Sequence, residues 1–184
     1  MKTYNHFFLD RDGVINQNGF VNTPDDFKFI DGALDAFGIL KMTGCHAYII
    51  TNQGGIEAGY VTEETLLDIH AGMLKTVHAA GGKIDGIYYC PHLKSPCDCR
   101  KPKPGLIQRA IKLHSLSFKL NDCCFIGDYI TDWQAAEAAG IQPVAVKTGR
   151  YEKPEVQKYI REHGIPLFEN LLAAVELLAD PIPF

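Results

Sequence analysis

Short apolar runs alternate with longer stretches of helical period along this chain. The runs are FFLD (7–10), HAYIITN (46–52), IDGIYYC (84–90), CCFIGD (123–128) and PVAVKTG (143–149), and each stops at Asp, Asn, Cys or Gly. Runs of this length and composition predict buried strands whose carboxyl ends emerge from the core where the polar residues begin. The segments between them have apolar residues at helical spacing. LDAFGILKMTG ends at Gly44, and TEETLLDIHAGMLKTVHAAGG opens on Thr62 as N-cap, carries acid in its first turn and closes at Gly81 and Gly82. PGLIQRAIKLHSL begins with Pro104 in its first turn, and TDWQAAEAAG stops at Gly140. The tail, KPEVQKYIREHG followed by a short IPLF and ENLLAAVELLA, reads as two closing helices.

Strand and helix in alternation predict an α/β fold: a doubly wound, mainly parallel sheet with helices on both faces and right-handed crossovers. With 184 residues, no internal repeat and no shift of composition, the chain is read as one domain, 1–184, able to bury a core without covalent staples. The net charge of −4 argues against a broad nucleic-acid-binding face. No apolar run is long enough to span a membrane. MKTYNHFFLDRD reaches charge too soon for a signal peptide, so a cytoplasmic setting is expected, in which thiols stay reduced.

The polar residues that end the strands converge. Asp10 and Asp12, Thr51 and Asn52, the RKPKPG after the third run, and Asp128 with Asp132 all fall at the carboxyl edge of the predicted sheet, where open α/β folds keep their chemistry. One strand-end aspartate is commonly a turn residue, and Asp132 also suits the first turn of a helix. Four strand ends bearing carboxylates, a hydroxyl and a lysine are not explained by turns. Paired carboxylates with a third on a neighbouring strand suit Mg²⁺, and lysine with threonine suits a phosphoryl group. An aspartate attacking a phosphate dianion faces like charge, which a cation and an ammonium group must offset. The product would be an aspartyl-phosphate, with a second carboxylate serving as acid and then base.

CPHLKSPCDC (90–99) places Cys90, His92, Cys97 and Cys99 within ten residues, a ligand set suited to a closed Zn²⁺ site. A redox pair would need a CxxC, which the stretch lacks. Filled by four protein ligands, such a site is structural, clamping the loop that delivers Arg100 and Lys101. Cys45, Cys123 and Cys124 read as small buried hydrophobes, Trp133 as core, and every histidine except His92 as structural or surface.

Taken in order, DRDG, TNQGGI, CRKPKPG and GDYITD resemble the four motifs of the haloacid-dehalogenase-type phosphatases, over about residues 6–150. The resemblance implies Asp10 as nucleophile, Asp12 as general acid/base, Thr51 and Lys101 as phosphate-holding groups, and Mg²⁺ bound by Asp10, Asp128 and the backbone carbonyl of Asp12. Asp132 matches a supporting acidic position. The zinc loop and GFVNTPDDFKFIDGA resemble the branch holding heptose 1,7-bisphosphate and histidinol-phosphate phosphatases. That implies a small phosphosugar substrate, with Arg11, Asn18, Gly19, Phe20, Asn52, Gln53 and Arg100 in contact with it. Two features depart from the heptose pattern: the short stretch between His92 and Cys97, and Tyr129 where a lysine is expected. Too few residues separate the motifs for a cap domain, so an open site shaped by loops is expected, in a monomer. Histidinol-phosphate phosphatase and polynucleotide 3′-phosphatase are the alternative enzymes, and an inactive phosphosugar-binding scaffold is the alternative without catalysis. A polynucleotide enzyme would need a basic track with stacking aromatics, which this chain does not display.

Overall fold

The computed structural model describes residues 2–17, 19, 21–114 and 120–179. Its centre is a six-stranded, all-parallel sheet in the order β3-β2-β1-β4-β5-β6, formed by β1 (His6–Leu9), β2 (His46–Asn52), β3 (Gly86–Cys90), β4 (Cys123–Gly127), β5 (Gln142–Val146) and β6 (Leu167–Phe168). The order reverses direction between β1 and β4, and such a switch point opens a crevice beyond the strand ends. Register fixes what lines it. Leu9 lies opposite Ile49 of β2 and Ile126 of β4, so Asp10 emerges one residue later, its N–H still bound to the Ile126 carbonyl at 3.0 Å.

Alternation along the strands divides the core between the two faces. Phe7 and Leu9 pack with α1 (Ala33–Met42), α6 (Leu171–Leu178) and Met73 and Val77 of α2 (Glu63–Ala79). Phe8, Tyr48 and Phe125 pack on the other face against α3 (Gly105–His114) and α4 (Ile130–Ala138). Helix α2 starts as its sequence predicts, with Thr62 Oγ1 accepting the Thr65 N–H at 3.1 Å. At the far edge Trp133, Ala145 and Ile165 join Val156 and Ile160 of α5 (Pro154–His163). Among the described residues no helix is long and apolar enough to cross a membrane.

Two boundaries differ from the sequence reading. IPLF supplies β6, because Phe168 pairs with Val146 and joins the core cluster that holds α1 and α6. The fifth run leaves the sheet at Val146, and Lys147–Gly149 turn away with Gly149 at φ +78°. The predicted end of α3 at 115–116 lies outside the described residues.

Trp133 is fully buried, and its indole N–H donates to the Val144 carbonyl at 3.1 Å, tying α4 to β5. Trp133→Ala should cost about 3–5 kcal/mol by leaving a cavity and an unpaired carbonyl. Urea unfolding followed by far-ultraviolet circular dichroism would measure the loss.

Candidate active site

At the switch point the first, second and fourth strand ends bring Asp10, Thr51 and Asp128 together, each buried. Lys101 enters from the loop after β3. Its ammonium donates to Asp10 Oδ1 (2.8 Å), Asp132 Oδ1 (2.7 Å) and the Ile50 carbonyl (2.9 Å), so all three protons are used. The Arg11 backbone N–H also donates to Asp10 Oδ1, at 2.7 Å. Asp10 Oδ2 is thereby left as the oxygen without a hydrogen-bond donor among the described residues.

Carboxylate oxygens of Asp10, Asp128 and Asp132 lie within 4.8 Å of one another, all buried. Burial drives the Asp10 carboxyl up to about 8 against the pull of Lys101, and Asp132, Asp128 and Asp12 push in the same direction as burial. Burial works against the Lys101 ammonium, but Asp10 and Asp132 prevail and raise it. An excess of buried negative charge on hard oxygens is the environment Mg²⁺ suits, and a cation placed there would return Asp10 to its anionic form.

Asp12 points elsewhere. Its carboxylate is forked by the Arg11 guanidinium (2.9 and 3.1 Å from Nη2) and also accepts from Asn16 Nδ2 (2.9 Å) and Gln53 Nε2 (3.0 Å). Gln53 reaches on to Thr51 Oγ1 at 2.8 Å. Arg11 itself is only 1% exposed, and its Nη1 donates to His70 Nε2 at 3.3 Å. Burial, then Arg11, lower His70 to about 4, so the ring is neutral and accepts at Nε2. Arg11, expected to touch substrate, lines the recess beside the cavity while its guanidinium holds Asp12. Asn52 is likewise engaged. Its Nδ2 donates to the Lys101 carbonyl (3.1 Å) and its Oδ1 accepts the Lys101 N–H (3.0 Å), fixing the lysine's backbone. Asn18 and Phe20 lie outside the described residues, while Gly19 lines a neighbouring recess.

Behind Lys101 the predicted zinc ligands converge. Cys99 and Cys90 sulfurs lie 3.1 Å apart and Cys90 and Cys97 sulfurs 3.8 Å apart, while His92 Nδ1 lies 3.5 Å from Cys90 and 3.4 Å from Cys99. Ligands at ordinary Zn–S and Zn–N lengths on a tetrahedron are about 3.5–3.8 Å apart, so the residues fit the ion. The Arg100 backbone N–H lowers the Cys97 thiol to about 7, while burial lifts Cys90 to about 12. The Arg100 guanidinium donates to the His92 carbonyl at 2.8 Å, tying the loop to the cavity wall.

Known proteins resemble this chain in sequence and fold. A phosphatase from Neisseria meningitidis, the D-glycero-beta-D-manno-heptose-1,7-bisphosphate 7-phosphatase, is 39% identical over 88% of this chain and 84% of its own length. The chain belongs to the heptose bisphosphate phosphatase family. The enzyme of the same name from Pseudomonas putida is 41% identical over 90% of this chain and 94% of its own. A "HAD-hyrolase-like" family model matches residues 98–174. The crystal structure of the D,D-heptose 1,7-bisphosphate phosphatase from B. bronchiseptica, complexed with magnesium and phosphate, superposes with a TM-score of 0.84 at 33% identity, over 96% of this chain and 97% of that one. The fold is therefore that of the haloacid-dehalogenase-like hydrolases, and the chain is a phosphatase.

Several residues of this phosphatase site escaped the sequence reading. Arg150 Nη1 lies 3.4 Å from Asp128 Oδ1, and Arg150 and Lys153 line the 530 Å³ cavity over Asp10, Thr51 and Lys101. Basic residues following the fifth run at the same sheet edge were the available signal. Two glycines make room for the carboxylates. A Cβ on Gly127 would sit 2.5 Å from Asp132 Cβ, and one on Gly149 would sit 2.1 Å from Asp128 Oδ2, at a φ only glycine tolerates readily. No sequence pattern marked these contacts. His70, read as merely structural, acts on Arg11. The cavity meets a second recess of about 250 Å³ at Asp12, Asn52 and Arg100.

Gly149→Ala should displace Asp128 and lower Mg²⁺ affinity at least about tenfold while the fold persists. Isothermal titration with Mg²⁺ and circular dichroism on the same sample check both halves.

Proposed function

We propose that this phosphatase removes the 7-phosphate of D-glycero-D-manno-heptose 1,7-bisphosphate through an aspartyl-phosphate on Asp10. The observation that carries the mechanism is the geometry of Asp10. One oxygen is neutralised by Lys101 and the Arg11 N–H, the other has no hydrogen-bond donor among the described residues, and Asp10 lines the cavity. Mg²⁺, bound by Asp10, Asp128 and the Asp12 carbonyl, would supply the remaining neutralisation of the phosphoryl oxygens. Thr51 and Lys101 hold the phosphate. Asp10 bonds to phosphorus as the bond to the sugar oxygen breaks, and Asp12 passes its proton to that oxygen. Asp12 then takes a proton from water as the water oxygen bonds to phosphorus, and the Asp10–phosphorus bond breaks. Gln53, Asn16 and Arg11 keep the Asp12 carboxyl in one orientation throughout.

Support for the sugar bisphosphate comes from the family and from cations beyond those needed for one phosphate. Arg100 lies where the two recesses meet and can meet a second anionic group with the forked geometry that lysine lacks. Zn²⁺ is proposed as structural, held by Cys90, His92, Cys97 and Cys99. We further place the enzyme in the cytoplasm, as a single-domain monomer that binds no nucleic acid. The cavity is built within one chain and is sized for a small molecule.

Phosphate release across sugar bisphosphates, histidinol phosphate and 3′-phosphorylated DNA tests the substrate. Heptose 1,7-bisphosphate should give the highest kcat/KM, and Arg100→Ala should narrow its lead over heptose 7-phosphate. A better rate on histidinol phosphate would refute the assignment. Asp10→Asn should lower kcat at least about a thousandfold, and near-normal turnover, with deamidation excluded, would refute the nucleophile. Purified protein should carry about one Zn²⁺ per chain, and Cys97→Ser should lose both metal and stability, read by atomic absorption and thermal melting.

A further inference from the structure

The catalytic cavity has a cationic side that the chemistry above leaves unused. Arg150 and Lys153 follow β5 and flank the start of α5. Both stand over the ring of Tyr129, with the guanidinium carbon 5.0 Å and the ammonium nitrogen 5.5 Å from its centroid. All three side chains line the cavity whose floor holds Asp10, Thr51 and Lys101. Arg150 uses one nitrogen on Asp128, at 3.4 Å, which is long for a charged pair and leaves most of its five donors available. Lys153 is exposed and makes no ion pair among the described residues. Two like charges held beside one aromatic ring at the same cavity repel each other, and an anion bound by both would relieve that repulsion.

Neutralising Asp128 would account for Arg150 alone. It does not account for Lys153, which contributes nothing to the carboxylate cluster and faces the same opening. Across the cavity Arg100 already has one nitrogen on the His92 carbonyl. The anion-binding capacity of the rim is therefore greatest on the β5 side.

We infer that Arg150 and Lys153, seated on the ring of Tyr129, form the subsite for the phosphate that the reaction leaves in place. This rests on the bisphosphate reading and deepens it, because it assigns the grip on the retained group to residues beyond β5, with Arg100 closing from the other side. Binding energy from that retained group can be used to orient the reacting one.

Steady-state kinetics on heptose 1,7-bisphosphate and heptose 7-phosphate test the assignment. Lys153→Ala should lower the kcat/KM ratio of bisphosphate to monophosphate about tenfold, mainly through KM for the bisphosphate. Lys153→Arg should restore the ratio, and Tyr129→Leu should reproduce the loss by removing the platform. Lys153 is exposed, so a folding failure is not expected, and circular dichroism of each variant checks this. A wild-type preference that survives Lys153→Ala and Tyr129→Leu overturns the subsite alone. So does an equal fall on both substrates, which would mark a general effect on the cavity. A wild type with no preference for the bisphosphate overturns the bisphosphate reading and the subsite with it.

Discussion

A lysine ammonium, nearly sealed from water between two carboxylates, is the interaction on which the rest of the site depends. Lys101 is 3% exposed and reaches Asp10, Asp132 and the Ile50 carbonyl together. A buried cation is tolerable only if every proton is satisfied, and a buried carboxylate only if its charge is met. Removing Lys101 would leave both carboxylates uncompensated in a low-dielectric pocket. This shared dependence links β1, the loop after β3 and the first turn of α4 into one unit. It also leaves the cluster with more negative charge than Lys101 can balance, which is why a divalent cation and a phosphoryl group suit it.

Holding that lysine is the task of several parts of the chain. Asn52 clasps its backbone from the end of β2, and the cysteine–histidine loop fixes the two residues before it. The outer half of the loop is anchored separately: Glu57 accepts from the backbone N–H groups of Leu93, Lys94 and Ser95 and from the Ser95 hydroxyl, which holds its carboxyl down to about 2. If Zn²⁺ is held there as proposed, placing the loop beside a charged cluster makes sense energetically. A loop ordered by its own ligands need not draw its rigidity from the site it serves.

Asp12 shows how the same strand end produces a second chemical role. Two residues from Asp10, it lies where the two recesses meet and rests on Arg11, Asn16 and Gln53, a position that suits the proton transfer proposed for it. Arg11 is kept in place by a neutral histidine from α2. The buried Asp10 carboxylate therefore faces Lys101 and the partly exposed Asp12 carboxylate faces a guanidinium, two environments suited to the proposed division between nucleophile and proton carrier.

Much of this was legible in the chain itself. Apolar runs ending in Asp, Asn, Cys or Gly located five of the six strands and placed Asp10, Thr51 and Asp128 at one edge, because burial and strand period are local properties of sequence. The spacing of Cys90, His92, Cys97 and Cys99 disclosed a common ligand set for a similar reason: four ligand residues within ten positions of one loop can readily be brought together. The two-residue strand Leu167–Phe168 was not legible, since it is defined only by pairing with Val146. Nor were the inward turn of Arg11 toward His70, the double grip of Asn52, the space reserved by Gly127 and Gly149, and the cations above Tyr129. Each of these is a contact between segments far apart in sequence, so its partner is fixed by the packing of helices on the sheet. The chain alone determined which chemistry this edge of the sheet could hold. Tertiary structure decided which polar groups face the cavity and which hold the others in place, because only close packing makes those choices exclusive.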